Sequence, residues 1–316
     1  MSEVSDPKER VTLGKTDLRV SPLGLGTWAW GDRIMWGYGN GYRDSDLEAA
    51  YRATVDADIN FLDTAELYGF GQSEKLLARF TQADKRPVIL ASKFMPLPWR
   101  LRKGQLISAL RGSLKRLNAS KLDLYQIHWP SPPVAVETWA EGLADTVEAG
   151  LTRAVGVSNY NADQMRRAHG VLAKRAIPLA SNQVEYSLLD RSPERNGVFD
   201  ACRELGITLI AYSPLAMGML TGKYTPDNPP PFPRRRQYNG AYLARIQPLI
   251  GLMKQIGEAH GGKSPAQVAL NWVICKGAIP IPGAKTVSQA QHNVGALGWR
   301  LTDAEVMALD DASRKL

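Results

Sequence analysis

Short apolar runs alternate with amphipathic segments along most of the chain. The apolar runs lie at 23–28, 59–65, 88–94, 122–129, 153–159, 179–186, 208–214 and 278–283. The segments between them repeat their apolar residues with helical spacing, for example at 46–57, 104–117, 138–150 and 265–277. Nearly continuous apolar strands that alternate with helices are typical of a parallel sheet buried on both faces. The pattern therefore predicts eight successive β–α units.

Eight such units in about 300 residues favour a closed (β/α)8 TIM barrel over an open doubly wound sheet. The open sheet has one feature in its favour, because Gly24, Gly26 and Ala29 match the loose dinucleotide fingerprint G-x-G-x-x-A. We reject this match, since the residues that follow, "WGDRIMWGYGNGY", indicate a loop and not the helix that the fingerprint requires.

Two segments extend the predicted barrel. Residues 11–23 are typical of a β-hairpin, which we expect to close the barrel floor, and the proline-rich residues 226–233 form an insertion in a long loop after the seventh strand. No change in composition marks a domain boundary. We predict a single domain over residues 1–316, of which residues 1–10 are flexible.

Composition excludes several classes of protein. Apolar residues make up 44% of the 316 residues, and no run of 18 apolar residues exists that would span a membrane. The first ten residues lack the apolar core of a signal peptide. Cys202 and Cys275 lie far apart, which indicates a reducing compartment and no disulfide framework. We therefore predict a cytoplasmic protein without a membrane partner.

The net charge of +8 allows an anionic partner. The only compact basic run is Arg234, Arg235 and Arg236, which belongs either to a solvated loop or to a loop near an anionic ligand. A nucleic-acid face would need a longer basic stripe with aromatic or helical support. We expect no nucleic-acid partner.

Polar residues recur where the predicted strands end, which is where a barrel of this kind holds its active site. Asp63 and Tyr68 follow the second strand, Lys93 ends the third and His128 ends the fourth. Each alone has an ordinary explanation, such as a solvated lysine or a hydrogen-bonded core histidine. Their position at the same end of three consecutive strands indicates a site. Glu66 is expected to be a solvated loop acid.

These four residue types fit one kind of chemistry. A free phenol has a pKa near 10, and a nearby ammonium lowers that pKa by favouring the phenolate. A carboxylate can hold the ammonium, and an imidazole can bond the oxygen that the phenol serves. The set suits protonation of a carbonyl oxygen. The sequence has no G-x-S-x-G elbow and no metal-binding motif, so the attacking species must come from a cofactor, and hydride is the obvious choice.

The same segments resemble the aldo-keto reductase superfamily over roughly residues 10 to 313. The quoted segments are "FLDTAELYG", "SKF", "LYQIHWP", "GVSNY", "NQVEYSLL", "AYSPLAMGMLTGKY" and "IPIPGAKTVSQAQHNVGA". Details such as "AYSPL" and "IPGAK" are similar to the branch that holds potassium-channel β subunits, plant plastid aldo-keto reductases and pyridoxal reductases.

The resemblance implies a catalytic tetrad of Asp63, Tyr68, Lys93 and His128. Tyr68 would be the acid, Lys93 would lower its pKa, Asp63 would hold Lys93 and His128 would orient the carbonyl. It also implies a bound NADPH and no metal. The nicotinamide would be held by Ser158, Asn159, Gln183 and Tyr212. The pyrophosphate path would be lined by Ser213, Pro214, Leu215, Gly218 and Leu220, and the adenosine end by Gly283, Lys285, Gln289, His292 and Asn293.

The chain departs from the family at the adenosine end. Many members have lysine at the position of Gly283 and arginine at the position of Gln289, both serving the 2′-phosphate of NADPH. Here Lys285 must supply that charge, helped by an arginine of the 234–236 run. We still expect NADPH to be preferred to NADH.

Four tryptophans lie just past strand ends: Trp28, Trp30, Trp99 and Trp129. Ordinary packing is the alternative for each. Together they predict a narrow aromatic mouth for a small-molecule carbonyl substrate such as a small or planar aldehyde.

Three functions therefore stand at the level of sequence. The first is NADPH-dependent reduction of aldehydes and some ketones to alcohols. The second is a dinucleotide-binding regulatory subunit with little turnover. The third is a barrel lyase or isomerase that uses Lys93 as a Schiff base. The oligomeric state stays open.

Overall fold

The computed structural model describes residues 9–314 and residue 316. In this part of the chain, eight parallel strands form one sheet in chain order, and a bridge between Gly26 and Gly283 joins its two ends into a barrel. The barrel strands are β3 Gly24–Gly26, β4 Phe61–Asp63, β5 Ile89–Phe94, β6 Leu122–Ile127, β7 Thr152–Ser158, β8 Leu179–Glu185, β9 Thr208–Tyr212 and β10 Ile279–Pro280. The predicted TIM barrel is confirmed.

Helices lie between the strands and pack side by side around the sheet. They are α1 Asp44–Asp56, α2 Gln72–Asp84, α3 Gly104–Leu117, α4 Val136–Glu148, α5 Ala162–Ala173, α6 Ser192–Arg195, α7 Val198–Leu205, α8 Arg234–Gln237, α9 Gly240–Ala259, α10 Pro265–Cys275, α11 Val287–Val294 and α12 Asp303–Arg314. Helix α10 begins with Pro265 at its first position and Ser264 as N-cap, which follows the usual preference for that terminus.

The predicted N-terminal hairpin consists of β1 Val11–Thr12 and β2 Arg19–Val20. Leu13, Leu18 and Val20 are buried in an apolar cluster separate from the main core. The other members of this cluster, such as Phe61 and Leu124, come from the barrel strands and point into the barrel. The hairpin therefore closes one end of the barrel with apolar side chains, and the opposite end holds the loops that follow the strands.

The glycines of the rejected fingerprint allow strands to approach closely. A Cβ at Gly24 would lie 2.8 Å from the ring of Phe61, and one at Gly26 would lie 2.7 Å from the carbonyl oxygen of Ile281. The chain after Gly26 runs through a loop, and α1 begins only at Asp44. Packing of β3 against its neighbours thus accounts for these glycines.

The predicted long loop lies between β9 and β10 and contains α8, α9 and α10. Most of the segment predicted to be flexible, residues 1–10, lies outside the described part of the chain, which begins at residue 9. The single domain over residues 1–316 stays a prediction. Among the described residues, no helix has the length and apolar character that a membrane span requires.

Candidate active site

Neighbouring strands bring the four candidate catalytic residues together. Strands β4, β5 and β6 pair in parallel, so Asp63, Lys93 and His128 lie near the same end of the barrel. The Lys93 ammonium donates to Asp63 Oδ1 at 2.5 Å, to the carbonyl oxygen of Thr64 at 2.9 Å and to Tyr68 Oη at 3.4 Å. The buried carboxylate and ammonium and the half-buried phenol therefore form one continuous chain.

The other oxygen of Asp63 is bound from a different side of the barrel. Asp63 Oδ2 accepts hydrogen bonds from Gln183 Nε2 at 2.9 Å and from Gln126 Nε2 at 3.4 Å. Asp63 is 1% exposed and Lys93 is fully buried. A buried ion pair is stable only when its remaining lone pairs are satisfied, and these amides satisfy them.

The surroundings fix the charge of Lys93. Burial, the largest single effect, lowers the pKa of the lysine, but the charges and hydrogen bonds of Asp63 and Tyr68 together outweigh it, so the pKa is raised above its ordinary value. The side chain is therefore an ammonium at neutral pH. A Schiff base needs the neutral amine, so this site does not favour the lyase or isomerase alternative.

Tyr68 is half-buried at the wall of the site and keeps its proton. Burial raises the pKa of the phenol, and the Lys93 ammonium only partly opposes that rise. The ammonium lowers the pKa, as the sequence-based expectation has it, but that expectation did not include the larger effect of burial. At neutral pH the phenol keeps its proton and can donate it.

His128 contributes a neutral ring. Burial and the Lys93 ammonium lower the pKa of this histidine to about 3. Its ring centroid lies 5.9 Å from that of Tyr68 in an edge-on arrangement. Its buried Nδ1 has no hydrogen-bond partner among the described residues, which is unlike an ordinary core histidine.

The residues assigned to the nicotinamide form a second hydrogen-bonded group beside the tetrad. Ser158 Oγ donates to the carbonyl oxygen of Gln183 at 2.7 Å, and Asn159 Nδ2 donates to the carbonyl oxygen of His128 at 3.0 Å. Tyr212 Oη donates to Asn159 Oδ1 at 3.0 Å. Asn159 adopts a φ of 61°, a left-handed backbone of the kind that recurs at ligand sites.

These groups open into one cleft with a volume of about 1030 Å³. Most of the predicted residues line it: Asp63, Tyr68, His128, Ser158, Asn159, Gln183, Tyr212, Ser213, Pro214, Leu215, Gly218, Gly283, Lys285, Gln289, His292 and Asn293. Lys93 is fully buried and reaches Tyr68 from behind this lining. Leu220 is not part of the lining, because it is fully buried in the apolar core.

The four tryptophans divide into two groups. Trp28 and Trp129 line the cleft and are 39% and 45% exposed. Trp30 does not, because it is fully buried and its indole N–H donates to the carbonyl oxygen of Ala284. Trp99 is 69% exposed on the loop after β5 and does not contribute to the lining. Leu67, which sequence reasoning did not single out, adds to the apolar wall.

In the described part of the chain, three cations line the part of the cleft formed by the loops after β9 and β10. Lys223, Arg234 and Lys285 line it, and none of them forms an ion pair with an acid of residues 9–314 or 316. The Lys285 ammonium and the Arg234 guanidinium lie 5.3 Å and 5.5 Å from the ring centroid of Trp36. Burial, together with Arg234 and Lys223, lowers the pKa of Lys285.

Sequence reasoning missed Lys223 and foresaw Arg234 only as one of three arginines. Lys223 stands in the quoted "LTGKY" segment, which was its only signal. Arg234 donates to the carbonyl oxygen of Met217 at 2.7 Å, and this contact distinguishes it from Arg235 and Arg236. No sequence pattern reveals such a long-range contact.

Glu66 is buried, whereas the sequence predicted a solvated loop acid. It is 9% exposed, and its carboxylate accepts hydrogen bonds from the Met95 backbone N–H and from Arg100. The expectation failed because the partner that buries this acid lies on the next loop.

Residues 22–314 match the aldo/keto reductase family. The chain belongs to this family. Its members are oxidoreductases that use nicotinamide cofactors and act on small-molecule carbonyl substrates. The resemblance inferred from the sequence segments is confirmed.

Relatives cover nearly the whole chain. The chain is 42% identical to a chloroplastic pyridoxal reductase of Arabidopsis thaliana, across 98% of this chain and 87% of the relative. It is 34% identical to an aldo-keto reductase of Schizosaccharomyces pombe (strain 972 / ATCC 24843) whose name specifies NADP(+), across 84% of this chain and 82% of the relative. A glycerol dehydrogenase structure from Gluconobacter oxydans aligns with a TM-score of 0.83 at 29% identity and covers 98% of this chain and 96% of its own.

Proposed function

We propose that this protein reduces aldehydes, and some ketones, to alcohols with NADPH, and that Tyr68 is the acid. The observation that carries the proposal is the hydrogen-bonded chain from Asp63 through Lys93 to Tyr68 at the wall of the cleft. A reduced nicotinamide, when bound, supplies the hydride. The residues of the chain supply the proton and the orientation.

Each member of the tetrad has one task in this proposal. Asp63 keeps Lys93 charged and in place. The ammonium stabilises the phenolate that Tyr68 becomes as its proton passes to the carbonyl oxygen. His128 is neutral at physiological pH because its pKa is lowered to about 3, so it orients the carbonyl and does not compete as the acid.

The cofactor assignment rests on the cations. Arg234 and Lys223 are close enough to Lys285 to lower its pKa, and like charges without acid partners among the described residues are costly unless an anion binds among them. Ser288 and Gln289, in the first turn of α11, also line the cleft. The N-terminus of a helix favours negative charge, so this terminus adds to the attraction for an anion. These features suit the 2′-phosphate and therefore favour NADPH over NADH.

The walls of the cleft suggest the kind of aldehyde. The loops after β3, β4 and β6 contribute Trp28, Leu67 and Trp129, whereas the unpaired cations come from beyond β9 and β10. We expect a planar, uncharged aldehyde, because a carboxylate or phosphate beside these apolar walls would lose hydration without gaining a cation. The likeness to a pyridoxal reductase makes pyridoxal the first compound to try.

The test is nucleotide oxidation by the purified protein with matched aldehyde pairs. Pyridoxal is compared with its phosphate ester, and benzaldehyde with its para-carboxylate. We expect oxidation of NADPH and a kcat/KM about tenfold or more higher for the neutral member of each pair. Binding of NADPH without turnover on any aldehyde would favour the regulatory subunit instead, and failure to bind either nucleotide would refute the assignment of the cofactor residues.

A further inference from the structure

Glu66, Met95 and Arg100 form a closed cluster that no step of the proposed reaction uses. Glu66 Oε1 accepts the Met95 backbone N–H at 2.7 Å and a second bond from Arg100 Nη1, while Oε2 accepts Arg100 Nη2 at 3.2 Å. Arg100 Nη1 also donates to the carbonyl oxygen of Met95 at 2.8 Å. We call these three residues the Glu66 clamp.

The clamp joins the two segments that carry Tyr68 and Lys93. Glu66 lies two residues before Tyr68, and Met95 lies two residues after Lys93. Backbone pairing between the same segments weakens beyond the end of β4: Thr64 N donates to the carbonyl oxygen of Ala91 at 2.9 Å, but Glu66 N reaches the carbonyl oxygen of Lys93 only at 3.4 Å. The side chain of Glu66 therefore supplies strong bonds where the sheet itself no longer does.

The turn that carries Tyr68 needs such support. Gly69, Phe70 and Gly71 have φ values of 54°, 56° and 85°, three left-handed residues in succession. A left-handed backbone is unfavourable for Phe70, and its side chain is 89% exposed, so packing of that side chain does not compensate for the strain. Within the turn, Tyr68 N and Phe70 N donate to the carbonyl oxygens of Ala65 and Leu67 at 3.1 and 3.0 Å, so contacts outside the turn add to a short local network.

The rest of the cluster is rigid enough to act as a support. Glu66 is 9% exposed, and the Arg100 guanidinium lies 4.9 Å from the ring centroid of the fully buried Phe94. A two-point bond between arginine and a carboxylate fixes orientation as well as distance. Arg100 is absent from the described lining of the cleft, so this pair has no evident contact with a substrate.

We propose that Glu66 is a positioning residue, which holds the Tyr68 turn against the Lys93 strand through the Glu66 clamp. Its effect on turnover rests on the proposed function, whereas its effect on the turn does not. Loss of the clamp lets the phenol move away from the ammonium and from the place where the carbonyl oxygen must lie.

The first experiment measures the turn without any turnover. Glu66→Gln keeps the size of the side chain but removes the charge that binds Arg100. Amide hydrogen exchange of the protein without nucleotide is compared with that of Glu194→Gln, which alters another carboxylate–arginine pair at Arg191 outside the cleft lining. We expect faster exchange in segments 64–72 and 94–103 in Glu66→Gln only. Unchanged exchange in these segments would overturn the proposal, whatever the reaction of the protein is.

The second experiment measures turnover. Glu66→Gln should lower kcat by about 10- to 100-fold, because small displacements of a proton donor cost that much, while the dissociation constant for NADPH stays within about twofold. The same substitution in a Tyr68→Phe background should cause no further loss, since it acts through Tyr68. A kcat equal to that of Glu194→Gln, or an equal loss in both backgrounds, would contradict the positioning role.

A second variant tests the same proposal in case Glu66→Gln does not fold. Arg100→Lys leaves Glu66 intact and keeps a cation but loses the two-point bond. We expect it to lower kcat in the same direction as Glu66→Gln but by a smaller factor. An Arg100→Lys protein with wild-type exchange in segments 64–72 and 94–103 and wild-type kcat would overturn the proposal even if Glu66→Gln does not fold.

Discussion

At the scale of single residues, burial decides more than charge does. It raises the pKa of Tyr68 in spite of the neighbouring ammonium, and it lowers the pKa of His128 together with that ammonium. For Lys93 burial is again the largest single effect, but Asp63 and Tyr68 together outweigh it and raise the pKa. The result is a protonated phenol beside a neutral imidazole, which supports the proposal that Tyr68 is the acid.

These pKa directions predict how the rate depends on pH. Reduction needs the protonated phenol, so its kcat should stay level from about pH 6 to about pH 9 and decline only above the ordinary phenol pKa of about 10, because the pKa of Tyr68 is raised. Oxidation of an alcohol needs the phenolate and should rise as the pH increases. Steady-state rates in both directions check this, and an inflection between about pH 6 and 7 that disappears in His128→Asn would refute the neutral histidine.

The cation cluster predicts the nucleotide preference. Lys285→Ala removes one charge from the proposed 2′-phosphate site, so binding of NADPH should weaken by about 10- to 100-fold and binding of NADH by less than about threefold. Fluorescence titration with each nucleotide measures both. The exposed Lys174 is the matched control, and Lys174→Ala should alter neither affinity. Equal weakening for the two nucleotides would mean that other residues hold the 2′-phosphate.

Sequence patterns predicted the positions of some of these residues and not of others. The tetrad could be foreseen because parallel strands end at one edge of a barrel, and the position of Asp63, Lys93 and His128 at strand ends is enough to bring them together. The surroundings of Glu66 and Trp30 could not be foreseen. Their partners, Arg100 and Ala284, lie 34 and 254 residues away along the chain.

At the scale of elements, the short N-terminal hairpin has a structural task. Leu13 and Leu18 are fully buried among the residues that the strands direct inward. This apolar cluster closes the end of the barrel away from the cleft. The position of the hairpin before the first strand was predictable, whereas the identity of its contacts depends on the closed sheet.

A substitution in the hairpin should therefore affect stability but not catalysis. Leu18→Ala should lower the free energy of unfolding by about 2–5 kcal/mol, because it removes buried methyl groups and leaves a cavity. The partly exposed Val11 provides a control, and Val11→Ala should cost less. Urea unfolding measures both, and kcat per folded molecule should not change. A loss below about 0.5 kcal/mol, the range of surface substitutions, would contradict the role of the hairpin.

At the scale of the whole molecule, the proposed mechanism separates proton donation from binding of the nucleotide within the barrel. The tetrad comes from β4, β5 and β6, whereas most of the predicted cofactor residues come from β7 to β10 and the loops after them. The cleft is the place where the two sets meet. A change in the phenol alone should therefore alter turnover and leave binding intact.

The most direct test of the account is Tyr68→Phe, with Tyr51→Phe as the control. Tyr51 is also buried, lies outside the cleft and has no hydrogen-bond partner for its hydroxyl among the described residues. The account predicts that Tyr68→Phe lowers kcat for aldehyde reduction by about 100-fold or more and leaves the dissociation constant for NADPH within about twofold, while Tyr51→Phe changes neither. Turnover that survives in Tyr68→Phe, or an equal loss of turnover and of NADPH binding, would contradict the assignment of Tyr68 as the acid.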